Sequence, residues 1–143
     1  MRNHANIKKI IIHCSDSNFG DVKLIDKWHK ERGWSRCGYH YVITNGIIEA
    51  GKSYDPEMDG KVQQGRPLDQ IGAHCKGHNE DSIGICLIGK HHFTGKQLYG
   101  SLPDLIFQLK VLGVFASNIF GHCEFSAKTC PNIDPALIRK ITQ

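Results

Sequence analysis

Hydrophobic and polar positions follow two different periods along the chain, and each change of period marks the boundary of a predicted element. The β-branched run "KKIIIHCS", residues 8–15, predicts a buried strand that ends at His13. Residues 21–33 then show an apolar stripe at helical spacing, with Asp21 as a candidate N-cap and Gly33 as the stop. A strand followed by a helix is therefore the first unit that the pattern predicts.

A hairpin is predicted next. The pair Asn45-Gly46 is the strongest hairpin signal in the chain, and the segment "GYHYVITNGIIEAG" predicts two strands around it. A second turn is predicted at Asp59-Gly60. Residues 41–66 are therefore expected to form a small meander with an exposed loop over residues 54–58.

The remaining pattern predicts a central strand, a turn-rich segment, a helix, a short strand and a terminal helix. In chain order these are "DSIGICLIG" (81–89), "HHFTGKQLYG" (91–100), the apolar spacing from Leu102 to Phe115, "IFGHCEF" (119–125) and "DPALIRKIT" (134–142). The order β-α-β-β-β-α-β-α predicts an α/β fold with a single mixed central sheet of about five strands, flanked by helices. The length of 143 residues predicts one domain over residues 1–143.

Composition and charge narrow the classes of function. No apolar run approaches the ~20 residues that cross a bilayer. The N-terminal apolar stretch Ile10–Ile12 is too short for a signal peptide, so we expect synthesis in the cytoplasm and no membrane partner. The net charge of +4 is scattered without a basic run, which gives little support to nucleic-acid binding. The charge suits an anionic partner such as a bacterial wall polymer.

Histidine and cysteine supply the candidate chemistry. The six cysteines are widely spread without a CxxC pair, and we predict that they are reduced thiols. The segment "GHCEFSAKTCP", residues 121–131, places His122, Lys128 and Cys130 within nine positions of one another. This spacing leaves half of a metal site, a redox pair of Cys123 with Cys130, and an ordinary polar loop as open alternatives.

A metal site would need a third ligand from elsewhere in the chain. Imidazole nitrogen and thiolate sulfur are the ligands that zinc prefers, and a catalytic zinc keeps three protein ligands and a water. His13 is a candidate because it ends the first predicted strand, at the edge where functional groups of α/β sheets gather. His40 is predicted to be a hydrogen-bonded core residue, and Cys14 and Cys123 are predicted to be core thiols that face away from the metal.

Four segments of the chain follow one another in the order found in one enzyme family. They are "IIIHCSDS", "WHKERGWSRCGYHYVI", "GRPLDQIGAHCKGHNEDSIGICLIG" and "GHCEFSAKTCP", and the likeness runs from about residue 8 to residue 134. In these motifs the chain resembles the zinc-dependent N-acetylmuramoyl-L-alanine amidases of the type-2 family. That family is related to the peptidoglycan recognition proteins, and the resemblance implies their fold.

The resemblance also implies a site and a reaction. Carried over position by position, it makes His13, His122 and Cys130 the ligands of one Zn²⁺ per chain, and it makes Tyr39 and Lys128 the catalytic residues beside the metal. It places His74 in the substrate groove. The implied reaction is hydrolysis of the amide between N-acetylmuramic acid and L-alanine in bacterial peptidoglycan. We expect a monomeric phage or prophage endolysin that reaches the wall after release.

Other functions stay open at this point. Some recognition proteins lack the cysteine ligand and bind wall fragments without cutting them, so the presence of Cys130 favours an enzyme. A phage member of the family also regulates an RNA polymerase, a role that no motif carries over to this chain. A structural zinc site would need a fourth protein ligand, and a bacterial recycling enzyme would look similar. Residues 46–64 are an insertion relative to the compact phage enzyme, and our hypothesis is that they reshape the groove rim.

Overall fold

The strands of the protein form one mixed sheet in the computed structural model, which describes residues 1–114 and 118–143. In chain order the elements are β1 (Lys9–Cys14), α1 (Val22–Glu31), β2 (Tyr41–Asn45), β3 (Asp59–Gln64), β4 (Ser82–Leu87), α2 (Leu102–Val111), β5 (Asn118–Gly121) and α3 (Pro135–Ile141). The spatial order is β3-β2-β4-β1-β5, antiparallel between β2 and β3 and parallel at the other three pairs. The predicted α/β class and the predicted order of elements are confirmed.

The central position of β4 explains why its sequence is continuously apolar. All six of its residues are buried, because the sheet is covered on both faces. On one face Ile10 and Ile12 of β1 pack with Leu105 of α2 and Ile138 of α3. Side chains alternate along a strand, so His13 points to the opposite face, where α1 packs. The strand prediction for residues 81–89 is confirmed.

The first helix begins and ends where the sequence predicts. The carboxylate of Asp21 accepts a hydrogen bond from the N–H of Leu24 at 2.9 Å, which satisfies one of the free donors of the first turn. Gly33 adopts a φ of +89°, a conformation that other residues rarely reach, and the helix stops before it. Ile25 packs α1 onto the sheet, and this contact brings the helix C-terminus toward the end of β1.

The hairpin predicted around Asn45-Gly46 is wrong. Strand β2 ends at Asn45, and its antiparallel partner is β3, which begins only at Asp59. Between them the ring of Tyr54 folds onto Gly46, where an added Cβ would lie 2.5 Å from a ring carbon. The predicted turn at Asp59-Gly60 is also wrong, since both residues belong to β3. The loop between β2 and β3 is therefore closed by contacts of Tyr54 and Asp55 with Gly46, not by a two-residue turn.

The segment predicted as turns over residues 91–100 is partly helical. Lys96–Ser101 forms a wide π-helical turn that leads directly into α2. The buried amide of Gln97 donates hydrogen bonds to the carbonyl groups of Ile43 and Ile88, at 3.1 and 2.9 Å. This turn is thus tied to the ends of β2 and β4, a contact that local sequence does not encode.

The ends of two other predicted elements differ from the structure. Helix α2 ends at Val111, and Phe115, included in the predicted apolar spacing, lies outside the described residues. The strand predicted over residues 119–125 ends at Gly121, so His122 follows β5 instead of lying within it. Helix α3 starts after Asp134 as predicted. Within the described ranges, no helix combines the length and the apolar composition that crossing a membrane requires.

His40 is a hydrogen-bonded core residue, as predicted. Its ring is fully buried, Nδ1 accepts the N–H of Gly84 at 3.1 Å, and Nε2 donates to the carbonyl of Gln70 at 2.8 Å. This pattern suits the neutral ring only, because protonation would place a second N–H against that of Gly84. Burial, together with the nearby Arg2 charge, lowers the pKa of His40 from 6.5 to about 4.

We expect the free energy of unfolding to fall as the pH is lowered from 6.5 toward 4, the interval between the ordinary and the folded-state pKa of His40. Over this range the unfolded chain takes up a proton that the folded chain excludes, so His40 contributes a slope of at most about 1.4 kcal/mol per pH unit. Urea unfolding at several pH values measures this slope. His40→Gln should make the slope shallower, whereas His91→Gln, at an exposed position, should leave it unchanged. Equal slopes in all three proteins would contradict the assignment.

Candidate metal centre

The pairing of β1 with β5 places two histidines side by side. The strands are parallel and Ile12 lies opposite Gly121, so the next residue of each chain segment lies at the same edge of the sheet. These next residues are His13 and His122, and their ring centroids are 4.5 Å apart. Two of the three predicted ligands are thus brought together by backbone register alone.

The loop after β5 brings Cys130 to the same edge. The N–H of Cys123 donates to the carbonyl of Cys130 at 2.7 Å, which closes the loop. Its first turn is held by Glu124, which accepts the N–H of Gly121 at 3.0 Å and pairs with Arg139 at 3.0 Å. The Sγ of Cys130 then lies against the end of β1.

The resulting cluster suits a zinc ion. The ligating atoms of His13, His122 and Cys130 all lie within 4.8 Å of one another. Donor atoms around one tetrahedral zinc are about 3 to 4 Å apart, given Zn–N and Zn–S lengths of about 2.0 and 2.3 Å. Two nitrogens and one sulfur are also the donor types that zinc prefers. Of the described residues, these three alone form such a cluster, so a tetrahedral ion would keep one position open to solvent or substrate.

Burial keeps both imidazoles in the form that binds metal. Burial, with His74 and His122 nearby, lowers the pKa of His13 well below 6.5. Burial and the positive charge of Lys128 lower the pKa of His122. A neutral ring offers its lone pair to a cation, so neither histidine has to lose a proton at neutral pH.

The thiol of Cys130 needs a cation to ionise. The neighbouring Cys14 thiol and burial raise the pKa of Cys130. A divalent ion acts in the opposite direction, because its charge stabilises the thiolate and displaces the proton. Metal binding at this cluster should therefore release one proton, from the sulfur.

His74 lies behind the metal cluster, directly against His13. Its Nδ1 is 2.8 Å from Nε2 of His13, its Nε2 is 3.2 Å from the hydroxyl of Ser82, and only 9% of the residue is exposed. This contact leaves Nδ1 of His13 as the nitrogen free to face a metal. Such hydrogen bonds fix the orientation of a ligand ring. His74 also lines the groove, where the resemblance places it, and sequence reasoning missed only its contact with His13.

A glycine makes room for the His74 ring. A Cβ added to Gly84, in the middle of β4, would lie 2.6 Å from Cγ of His74. Real Cβ atoms do not approach other atoms so closely, so any other residue at this position would displace the ring. The close packing of the His74 ring therefore explains why a glycine interrupts the apolar run of β4.

The metal cluster forms the floor of a groove of about 570 Å³. Tyr39 lies just before β2 and lines it, with its ring centroid 5.0 Å from that of His13. Lys128 lies exposed at the rim. All five residues predicted for zinc binding and catalysis therefore meet in one place. No residue of the insertion 46–64 lines the groove, contrary to the hypothesis that it shapes the rim.

The opposite wall of the groove was missed by sequence reasoning. It is formed by His29, Arg32 and Trp34, from the last turn of α1 and the residues after it. The Nδ1 of His29 accepts the N–H of Gly38 at 2.8 Å, and burial lowers the pKa of His29 to about 4. These residues reach the groove only through the packing of α1 on the sheet. Local sequence carries no signal of that contact.

The prediction for Cys14 is partly wrong. Cys14 is buried, with 5% of the residue exposed, and all six cysteines are free thiols as predicted. However, Cys14 does not face away from the cluster, because it lines the groove and its backbone N–H donates to the Sγ of Cys130 at 3.2 Å. The strand ends at this residue, so the alternation of side chains that the prediction assumed no longer applies.

Known proteins share this sequence pattern and this fold. The model of the N-acetylmuramoyl-L-alanine amidase family matches residues 3–133. The endolysin of Escherichia phage T7 is 34% identical over 135 residues, which span 87% of this chain and 80% of that protein. The N-acetylmuramoyl-L-alanine amidase LysC from Clostridium intestinale superposes with a TM-score of 0.75 at 26% identity, covering 96% of this chain and 87% of the other. A complex of the peptidoglycan recognition proteins LCa and LCx with tracheal cytotoxin gives a TM-score of 0.76 at 26% identity, covering 94% and 82%.

We expect His74→Ala to weaken zinc binding by about 10- to 100-fold, the usual effect of removing a residue that orients a ligand. Competition with a chromogenic zinc chelator measures the affinity. His74→Asn should recover part of it, because its side-chain amide reaches the position of Nδ1. His78→Ala is the matched control, since His78 stacks on Phe125 outside the cluster. Unchanged affinity in His74→Ala would show that the contact with His13 does not orient the ligand.

Proposed function

The chain belongs to the N-acetylmuramoyl-L-alanine amidase family, and from this membership we propose that it is a zinc-dependent peptidoglycan amidase that works as a phage endolysin. The observation that carries the proposal is the convergence of His13, His122 and Cys130 on one point of a groove, with their ligating atoms within 4.8 Å of one another. The similarity to the phage T7 endolysin supports the biological role. The similarity to recognition proteins bound to tracheal cytotoxin supports a wall fragment as the ligand.

The three ligands define what the protein contributes to the metal. A zinc ion held there would bring the pKa of a bound water to roughly 7 and would polarise the amide carbonyl. Two neutral imidazoles and one thiolate leave the site a net positive charge, and His74 fixes the orientation of His13. Because the cluster lies at the groove floor, the scissile amide has to enter the groove to reach the open position.

Lys128 is placed to stabilise the charge that develops on the substrate. Its charge already lowers the pKa values of both His13 and His122, so it acts at the cluster even though the residue is exposed. As the amide carbonyl becomes tetrahedral, its oxygen gains negative charge, and the ammonium of Lys128 donates a hydrogen bond to it. Donors of this kind contribute about 2.7 to 4 kcal/mol to transition-state stabilisation.

Tyr39 offers a neutral hydroxyl on the other side of His13. Burial raises the pKa of its phenol well above 10, so the group stays protonated at any pH at which the enzyme works. A hydroxyl that keeps its proton donates a hydrogen bond to the carbonyl oxygen or holds the attacking water in line. Its ring packs against that of His13, which fixes it in the groove.

A role in binding alone is the second candidate, favoured by the structural match to recognition proteins. The two roles share the groove and differ in the metal cluster. Cys130 completes the cluster together with both histidines, and a binding protein has no need for an open metal position. Product analysis separates the two candidates.

We expect the zinc-loaded protein to release new L-alanine amino termini from purified peptidoglycan without new reducing sugars. The amide bond is cut and the glycan strand is left intact, so amine labelling should rise while a reducing-end assay stays flat. Removal of zinc with a chelator should abolish the release, and added zinc should restore it. New reducing ends would identify a glycosidase, and full activity after exhaustive demetallation would exclude the zinc mechanism.

Lys128→Ala should lower kcat by about 10²- to 10³-fold, the effect of removing one oxyanion donor. Zinc content should stay at one ion per chain, because the lysine is not a ligand. Steady-state kinetics on a soluble muropeptide and metal analysis of the same sample measure both quantities. Lys76→Ala, at an exposed lysine that does not line the groove, is the matched control. A fully active Lys128→Ala protein would remove Lys128 from the mechanism.

A further inference from the structure

The metal cluster contains a second thiol that the proposed reaction does not use. Cys14 follows His13 directly, and its N–H donates to the Sγ of Cys130 at 3.2 Å. The same sulfur is 3.9 Å from the carbonyl oxygen of Cys14, so it lies against the backbone of that residue on both sides. Both cysteines line the groove.

We propose that Cys14 and Cys130 form a reversible disulfide, and that this bond switches off metal binding at the site. The proposal rests on the proposed role of Cys130 as a zinc ligand. A sulfur bonded to a second sulfur is no longer a thiolate, and only thiolates bind zinc well. Oxidation would therefore leave His13 and His122 as the two remaining ligands, and the ion would be lost.

The fold sets these two cysteines apart from the other four. Cys37, Cys75 and Cys86 are buried with at most 2% of each residue exposed, and none of them lines the groove. Cys123 is bonded to Cys130 through backbone atoms only, N–H to carbonyl. Because the Sγ of Cys130 already lies 3.2 Å from the backbone nitrogen of Cys14, rotation of the two side chains can bring the sulfurs to the S–S bond length of about 2.05 Å.

Accessibility determines the order of the reaction. Cys130 is half-buried and opens onto the groove, whereas Cys14 lies behind it with 5% of the residue exposed. Hydrogen peroxide therefore meets Cys130 first. The sulfur of Cys130 attacks one peroxide oxygen, the O–O bond breaks, and the thiol proton passes to the leaving hydroxide, so the products are a sulfenic acid on Cys130 and one water.

The second step uses Cys14 as the resolving thiol. Its sulfur attacks the sulfenic sulfur of Cys130, the S–S bond forms, and the hydroxyl group leaves as water with the thiol proton of Cys14. In total two thiols lose two hydrogen atoms and peroxide is reduced to two waters. A dithiol reductant reverses the process by thiol–disulfide exchange and regenerates both thiols. A bound zinc ion should slow the first step, because it occupies the lone pair of the Cys130 sulfur.

Peroxide treatment of the metal-free and the zinc-loaded protein tests the proposal without any measurement of activity. Intact mass should fall by two hydrogen atoms, and peptide mapping without reductant should join the peptide of Cys14 to that of Cys130. In the zinc-loaded sample, a colorimetric chelator should detect one zinc ion released per disulfide formed, and dithiothreitol followed by zinc should restore binding. A map that shows no such linkage, or that joins Cys130 to Cys123, would overturn the proposal.

Two variants separate the disulfide from general oxidation. Cys14→Ser leaves Cys130 without a resolving thiol, so peroxide should drive it to sulfinic acid, and dithiothreitol should no longer restore zinc binding. Cys123→Ser, the matched control next to His122, should behave as the wild type does. If dithiothreitol fully restores zinc binding in the peroxide-treated Cys14→Ser protein, the proposal is overturned. The wild-type peptide map decides the question even if a variant fails to fold.

Failure of this inference can be told apart from failure of the proposed function. A reduced protein that binds zinc and cleaves peptidoglycan, yet gives no linkage under peroxide, would retain the amidase proposal and refute the switch. A reduced protein that binds no zinc would refute the metal mechanism, and the zinc-release part of this inference with it.

Discussion

The parallel pairing of β1 with β5 is the constraint on which the site depends. Its register sets Ile12 opposite Gly121, and so His13 and His122 lie at the same edge of the sheet. Backbone pairing of the two strands holds both residues in place, with Ile10 and Ile12 packed under the helices on the far face. Ligands positioned by rigid strands need little rearrangement when an ion binds, and this is the usual condition for a precise metal site.

Behind the two ligands the protein places further buried imidazoles. His74 contacts His13, and the ring centroid of His40 lies 5.9 Å from that of His74. Burial lowers the pKa of each of these rings, which favours their neutral form at pH 7. Arg2 adds a positive charge behind them, with its Nη2 3.0 Å from Nε2 of His40. On the groove walls, Lys128 and Arg32 supply positive charge that faces the substrate.

The third ligand is held differently from the first two. Cys130 comes from a loop that is fixed by its closing backbone hydrogen bond and by the pair of Glu124 with Arg139. Because the sulfur lies against the end of β1, it contacts Cys14 as well as the candidate metal position. The strand ends fix the orientation of His13 and His122, whereas the loop supplies Cys130, the one ligand whose donor atom can be oxidised to a disulfide.

Sequence alone determined the elements whose patterns are local. The apolar run of β4, the cap at Asp21 and the order of strands and helices follow from periodicity, because burial on one or both faces leaves a direct trace in the residue types. The resemblance carried by the family motifs identified the five proposed site residues. Only the tertiary structure decided that Asn45-Gly46 does not form a hairpin, that His74 supports His13, that α1 forms a wall of the groove, and that Cys14 touches Cys130. The last three of these rest on contacts between residues distant in the chain, and such contacts are selected by the packing of the whole sheet and not by local preference.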